Sequence, residues 1–228
     1  MLKVMKGSEL METIEVIDWI WKKIIPRNHV TVLASRGGIG KSAFALWLAD
    51  QLTGEGKRVL YIDAERCGSS IKTRNLNWKL PHFNDISFTC EQVGTTPDGK
   101  VRNETACFSE LTKLNDIVGK ELYDLVILDS LTIIGRAVNM NNQGETANLL
   151  KELTATASIG RTGILLLAHT KKFQYDNQEL TIDSVSGNAA ITDLSRSVLL
   201  MERGLNPEQR ILHNVKNKIG RASCRERV

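Results

Sequence analysis

A chain of 228 residues with 42% hydrophobic and 25% charged residues has an ordinary globular composition and enough length for one sizeable α/β core. The formal net charge is +4, but the last ten residues hold three arginines and one glutamate, so the rest carries only +2 and argues little for nucleic acid. No window has the uncharged apolar length of a membrane span, Met1-Leu2-Lys3 opens no secretory segment, and Cys67, Cys90, Cys107 and Cys224 lack paired metal spacing, so a cytoplasmic protein with reduced thiols and no membrane contact is expected.

In chain order, Leu10, Ile14, Ile17, Ile20 and Trp21 predict an amphipathic helix over residues 8–25, ended by Pro26. His29-Val30-Thr31-Val32-Leu33-Ala34 predicts a strand, and Ser42-Ala43-Phe44-Ala45-Leu46-Trp47-Leu48-Ala49 predicts a helix. Between them runs Ser35-Arg36-Gly37-Gly38-Ile39-Gly40-Lys41-Ser42, in the strand–loop–helix setting of a nucleoside-triphosphate phosphate loop. Glycines let backbone N–H groups close on phosphates, Lys41 reaches the β- and γ-phosphates, and the Ser42 hydroxyl ligates Mg²⁺. The pattern G-x-x-x-x-G-K-[ST] wants glycine where Ser35 stands, and an ordinary glycine turn is the competing reading.

Further along, Arg58-Val59-Leu60-Tyr61-Ile62-Asp63, Leu125-Val126-Ile127-Leu128-Asp129 and Gly163-Ile164-Leu165-Leu166-Leu167-Ala168 predict buried strands. Helical stretches around 110–120 and 145–158 lie between them, so a mostly parallel sheet covered on both faces follows. Residues 91–106 and 171–186 are polar and turn-rich and read as loops. Arg196-Ser197-Val198-Leu199-Leu200-Met201 and Arg210-Ile211-Leu212-His213-Asn214-Val215 flank Gly204-Leu205-Asn206-Pro207 and predict a closing C-terminal hairpin.

Asp129 ends an aliphatic strand before Ser130, where a nucleotide-binding sheet places the acid that holds Mg²⁺ through water; a carboxylate capping the next turn is the alternative. Glu65 follows the second strand on the same edge, where it suits either a general base for the attacking water or a solvated carboxylate. Lys216 and Lys218 read from spacing alone as a solvated strand end.

Together, Ile17-Asp18-Trp19-Ile20, Ile25-Pro26-Arg27, the phosphate loop, Tyr61-Ile62-Asp63-Ala64-Glu65, Leu128-Asp129-Ser130, Leu167-Ala168-His169-Thr170-Lys171-Lys172, Val185-Ser186-Gly187-Asn188-Ala189-Ala190-Ile191-Thr192-Asp193 and Val215-Lys216-Asn217-Lys218 resemble the RecA-like ATPases of the plasmid RepA helicase type. The similarity runs over residues 14–218. It implies a RecA-like α/β fold, ATP and Mg²⁺ as ligands, a homo-oligomeric ring, a hexamer first among them, and work on DNA for a plasmid or other mobile element. By position it implies that Glu65 is the catalytic glutamate, Asp129 the metal-associated aspartate, and His169 a sensor of the γ-phosphate. It further implies that Lys216 and Lys218 form a basic pair reaching into a neighbour's site, although Lys218 stands where many relatives carry arginine, whose planar fork binds phosphate oxygens bidentately. Residues 171–187 fall where the fold places a loop facing the ring channel, and Lys171, Lys172, Phe173 and Tyr175 suit single-stranded DNA while Asp176, Glu179 and Asp183 offset their charge.

Residues 1–28 are thus expected to be a helical approach and 29–218 the ATPase domain. Residues 219–228 resemble a translated short-read sequencing adapter, so that tail is expected to be non-native and unpacked. Two other classes stay open. A ParA/MinD-type dimeric switch has a phosphate loop one residue away from this one, with Arg36 in place of the signature lysine, but Tyr61-Ile62-Asp63-Ala64-Glu65 lacks that group's D-x-D-P-Q. An ATP-binding scaffold with little turnover is kept open by Ser35 and Lys218.

Overall fold

A computed structural model describes residues 4–13, 16–105, 111–131, 139–171, 180–218 and 225–227. Helix α1 (Gly7–Thr13) precedes a two-stranded antiparallel ribbon of β1 (Trp19–Trp21) and β2 (Ile25–Pro26). The central elements are β3 (Val30–Ser35), α2 (Lys41–Gly54), β4 (Val59–Asp63), α3 (Gly68–Trp78) and β5 (Ser87–Phe88). A hairpin of β6 (Cys90–Thr95) and β7 (Val101–Thr105) follows, then α4 (Leu111–Lys120), β8 (Leu125–Asp129), α5 (Gln143–Ile159) and β9 (Gly163–His169). The chain closes with α6 (Ala190–Leu194), β10 (Ser197–Arg203), β11 (Arg210–Asn217) and β12 (Arg225–Arg227).

Eight strands form one sheet in the order β12-β11-β10-β3-β9-β8-β4-β5. From β10 to β5 every neighbouring pair is parallel, and the antiparallel β10–β11 hairpin is the one expected from Gly204-Leu205-Asn206-Pro207. The strands are nearly continuous runs of Val, Ile and Leu because both faces are covered. Strand alternation divides their side chains between two cores. Leu33, Tyr61, Ile127, Leu165 and Leu199 pack against α2, whereas Val32, Ile62, Leu128, Leu166 and Leu200 pack against Leu114 of α4 and Leu150 and Leu153 of α5. This is a RecA-like α/β architecture, with its parallel strands all ending on one edge.

Three expectations need correction. Of the helix expected over 8–25, the described residues keep only α1, because Ile20, Trp21, Ile24 and Ile25 are drawn into the α2-side core as extended chain. Lys22 and Lys23 turn the ribbon at φ 44° and 56°, and extended backbone at Ile25 is what the following proline favours. Residues 91–106 contain a hairpin, not a loop; β6 is exposed along its whole length, so no apolar alternation signals it, and the usable signal was the turn at Thr96-Pro97-Asp98-Gly99, where the Gly99 N–H donates to Thr96 O at 2.8 Å. Arg225–Arg227 pairs antiparallel with β11, so this part of the tail lies along the sheet edge, while 219–224 and 228 are outside the described residues. Helix α3 had no sequence signal because only Ile71 of its residues is buried.

Candidate nucleotide site

The phosphate loop links the end of β3 to the start of α2 at the edge where the parallel strands finish. Gly38 and Gly40 lie at φ 74° and 109°, a left-handed backbone that a side chain would strain, which explains glycine at both. Gly40 is the N-cap of α2 and makes no side-chain cap bond, so the first helical N–H groups remain for an anion. From the far side of the loop, Arg210 of β11 donates from Nε to Ile39 O at 2.6 Å and pins the loop in place.

Lys41 is only 7% exposed. Its ammonium donates to Ser35 O and Ser35 Oγ at 3.2 Å and to Arg36 O at 3.4 Å, and lies 3.4 Å from His169 Nδ1. Ser35, the departure from the glycine pattern, is buried at the end of β3 and serves as a cradle for that ammonium. Burial lowers the Lys41 pKa, partly offset by the negative Asp129 and Glu65 carboxylates. The direct hydrogen-bond partners of Lys41 are neutral, and phosphate oxygens would add negative ones at bonding distance.

Asp129 ends β8 opposite Asp63 of β4. Its Oδ2 accepts from the buried Tyr61 hydroxyl at 2.7 Å, and its carboxylate also accepts from the Ser42 side chain. Burial raises the Asp129 pKa, while these two hydrogen bonds oppose the shift. A hydroxyl and one carboxylate side by side suit Mg²⁺, which keeps several waters and takes one or two carboxylates together with substrate phosphates. Glu65 lies beyond β4, and Ser130 Oγ donates to its Oε1 at 2.8 Å, orienting the carboxylate.

Gly38, Gly40, Lys41, Ser42, Glu65, Arg74, Asp129, Ser130 and His169 line one cavity of about 250 Å³. The structure therefore brings together Lys41, Ser42, Glu65, Asp129 and His169 as the sequence reading expected, and adds Arg74 from α3, which that reading missed. Arg74 carried no signal because α3 has almost no buried stripe to mark its facing side. Lys216 and Lys218 are not part of this cavity. β11 runs antiparallel, so Lys216 pairs with Val198 and through it with Val32, toward the start of the parallel strands, while Arg210 stands at the phosphate-loop end. Lys216 donates to the carbonyl oxygens of Thr192 and Asp193, and Lys218 to that of Asp193 at 3.2 Å. Of the residues expected to face DNA, 172–179 lie outside the described residues.

Burial, and then the Lys41 charge, lower the His169 pKa, so its neutral ring accepts from Lys41 through Nδ1 and carries its proton on Nε2. His29 is lowered too, by burial and then by Arg196. For both, the unfolded chain binds protons more readily than the folded one below the ordinary value of 6.5, so stability is fully present above that pH and falls as pH drops toward the lower folded values. Thermal melting of the nucleotide-free protein between about pH 7.5 and 5.5 should show this loss, and His169→Gln should reduce the slope, leaving the part due to His29. An unchanged slope in His169→Gln would assign the effect elsewhere.

Among the described residues no helix is long and apolar enough to cross a membrane. Solved structures include the ATPase domain of G40P, with a TM-score of 0.65 at 10% identity, covering 97% of this chain and 90% of that one. The DNA repair protein RadA of Mycobacterium tuberculosis is 24% identical over 202 residues, 87% of this chain, and that of Chlamydia pneumoniae is 22% identical over 209 residues, 88% of this chain. The chain spans only 37% and 40% of the length of these two relatives. The AAA_25 family profile, described as an AAA domain, matches residues 2–174, well over half of the chain. With the phosphate loop, the Asp129 strand end and the RecA-like sheet in place, the chain belongs to this AAA-domain family and is a P-loop ATPase.

Proposed function

We propose that this chain is the ATP-hydrolysing module of a homo-oligomeric ring, a hexamer in its simplest form, that translocates on or remodels DNA, with the helicase or replication motor of a mobile element as the specific role. The observation that carries the reading is the gathering of Lys41, Ser42, Glu65, Asp129 and His169 around one cavity. Lys41 neutralises the β- and γ-phosphates, Glu65 accepts a proton from the attacking water, and the His169 Nε2–H is left to donate to a γ-phosphate oxygen. When bound, Mg²⁺ adds charge neutralisation across the phosphates, and Ser42 with Asp129 would hold it. The RadA relatives are named for DNA repair, which supports DNA as the partner.

The ring reading rests on Lys216 and Lys218, which stand at the opposite sheet edge from the Lys41 they would have to serve. A cation so placed helps hydrolysis only at another subunit's phosphates. Such fingers contribute about 10³–10⁵ in rate elsewhere, and a lysine, without the planar fork, gives less. ATP turnover per subunit should therefore rise with protein concentration, and mixing Lys218→Ala with Lys41→Ala should restore a measurable part of the activity that each lacks. Turnover flat with concentration and absent from the mixture would favour a monomeric enzyme.

A further inference from the structure

The turn that carries Glu65 is bracketed by contacts from the β6–β7 hairpin. On its N-terminal side, the Thr105 hydroxyl at the end of β7 donates to Asp63 Oδ2 at 2.8 Å. Asp63 is the last residue of β4, only 2% exposed, and stands two positions before Glu65. On the other side Arg66, the next residue after Glu65, reaches Glu91 of β6 at 2.7 Å. Arg66 itself sits at φ 56°, a left-handed conformation that a non-glycine residue keeps only when its surroundings hold it. Just beyond, a Cβ on Gly68 would come within 3.1 Å of Thr105 Oγ1, so α3 begins hard against the same side chain.

Among the described residues the hairpin adds no strand to the central sheet. It forms its own two-stranded sheet, separate from the central one, and β6 is exposed throughout. Such a ribbon is marginal alone and owes its placement to what it is tied to. We infer that the hairpin is a latch for the catalytic turn, with Thr105 as a positioning residue that fixes Glu65 through Asp63 and with the Arg66–Glu91 pair as its second tie. Asp63 is closed in by this contact, whereas Glu65 opens on the nucleotide cavity, so the latch sets the geometry of a base that it does not touch.

This inference rests on Glu65 as the general base, and the test separates the two. Thr105→Val removes the hydroxyl at constant shape, and Thr105→Ser keeps it. In the full chain, Thr105→Val should lower kcat about tenfold while leaving KM for ATP and the affinity for a fluorescent ATP analogue within about twofold, since misplacement of a reacting group affects the chemical step more than binding. Thr105→Ser should retain most of kcat. An unchanged kcat in Thr105→Val overturns the latch, as does an equal loss in the valine and serine variants, which would trace the effect to packing. Glu65→Gln in the same assay marks the base: normal turnover there overturns that reading and the latch with it, whereas a dead Glu65→Gln beside an unaffected Thr105→Val overturns the latch alone. Should Thr105→Val melt below the assay temperature, Glu91→Gln on the exposed strand carries the test. A fall in kcat of about threefold at unchanged KM, the scale of an exposed ion pair, supports the latch, and no fall overturns it.

Discussion

Lys41→Ala is expected to lower ATP turnover by about 10²–10³-fold, the cost of removing one preorganised charge donor from a site where negative charge is concentrated. Folding should survive the change. The ammonium is buried among neutral oxygens and an imidazole nitrogen, and burial already lowers its pKa, so the nucleotide-free protein gains little stability from it. Its role is prospective, because the phosphates complete a coordination that Ser35 and Arg36 only begin. Melting temperature close to that of the unaltered protein together with lost turnover is the expected pair of results. Undiminished hydrolysis would contradict the assignment of this loop as the site of turnover.

Glu65→Gln should keep ATP binding and suppress hydrolysis by about 10²–10⁴-fold, because the amide preserves size while losing the basicity that draws a proton from water. The hydrogen bond from Ser130 has an oxygen to find in glutamine as in glutamate, so the side chain keeps its orientation. Binding of a fluorescent ATP analogue measured beside steady-state phosphate release distinguishes this from a folding defect. If turnover persisted, Asp63 would be the next carboxylate in sequence, but it is closed in beneath Thr105 and does not line the cavity, so the base would have to be sought among groups that do.

Much of this site is legible in the amino-acid sequence, for a local reason. A phosphate loop is built from consecutive residues, so its glycines, Lys41 and Ser42 stand together in the sequence as they do in space. Buried parallel strands announce themselves as aliphatic runs, and their polar last residues, Asp63, Asp129 and His169, mark the edge where ligands bind. The same logic failed at the ribbon of β1 and β2, where apolar residues at helical spacing belong to extended chain. It failed again at β6, whose exposed residues carry no pattern.

The sequence by itself thus determined the class of fold, the phosphate loop and the strand ends that face it, since each is written in a short stretch of neighbouring residues. Only the tertiary structure decided which side chains meet. Tyr61 bonds Asp129 across 68 positions, Arg210 reaches the phosphate loop across 171, and Thr105 reaches Asp63 across 42. It also decided that Lys216 and Lys218 stand at the far edge of the sheet from Lys41, a consequence of β11 running antiparallel. These placements depend on the order in which strands pair and on how the two cores fill, and both are set by packing among segments distant in the chain, which no local periodicity records.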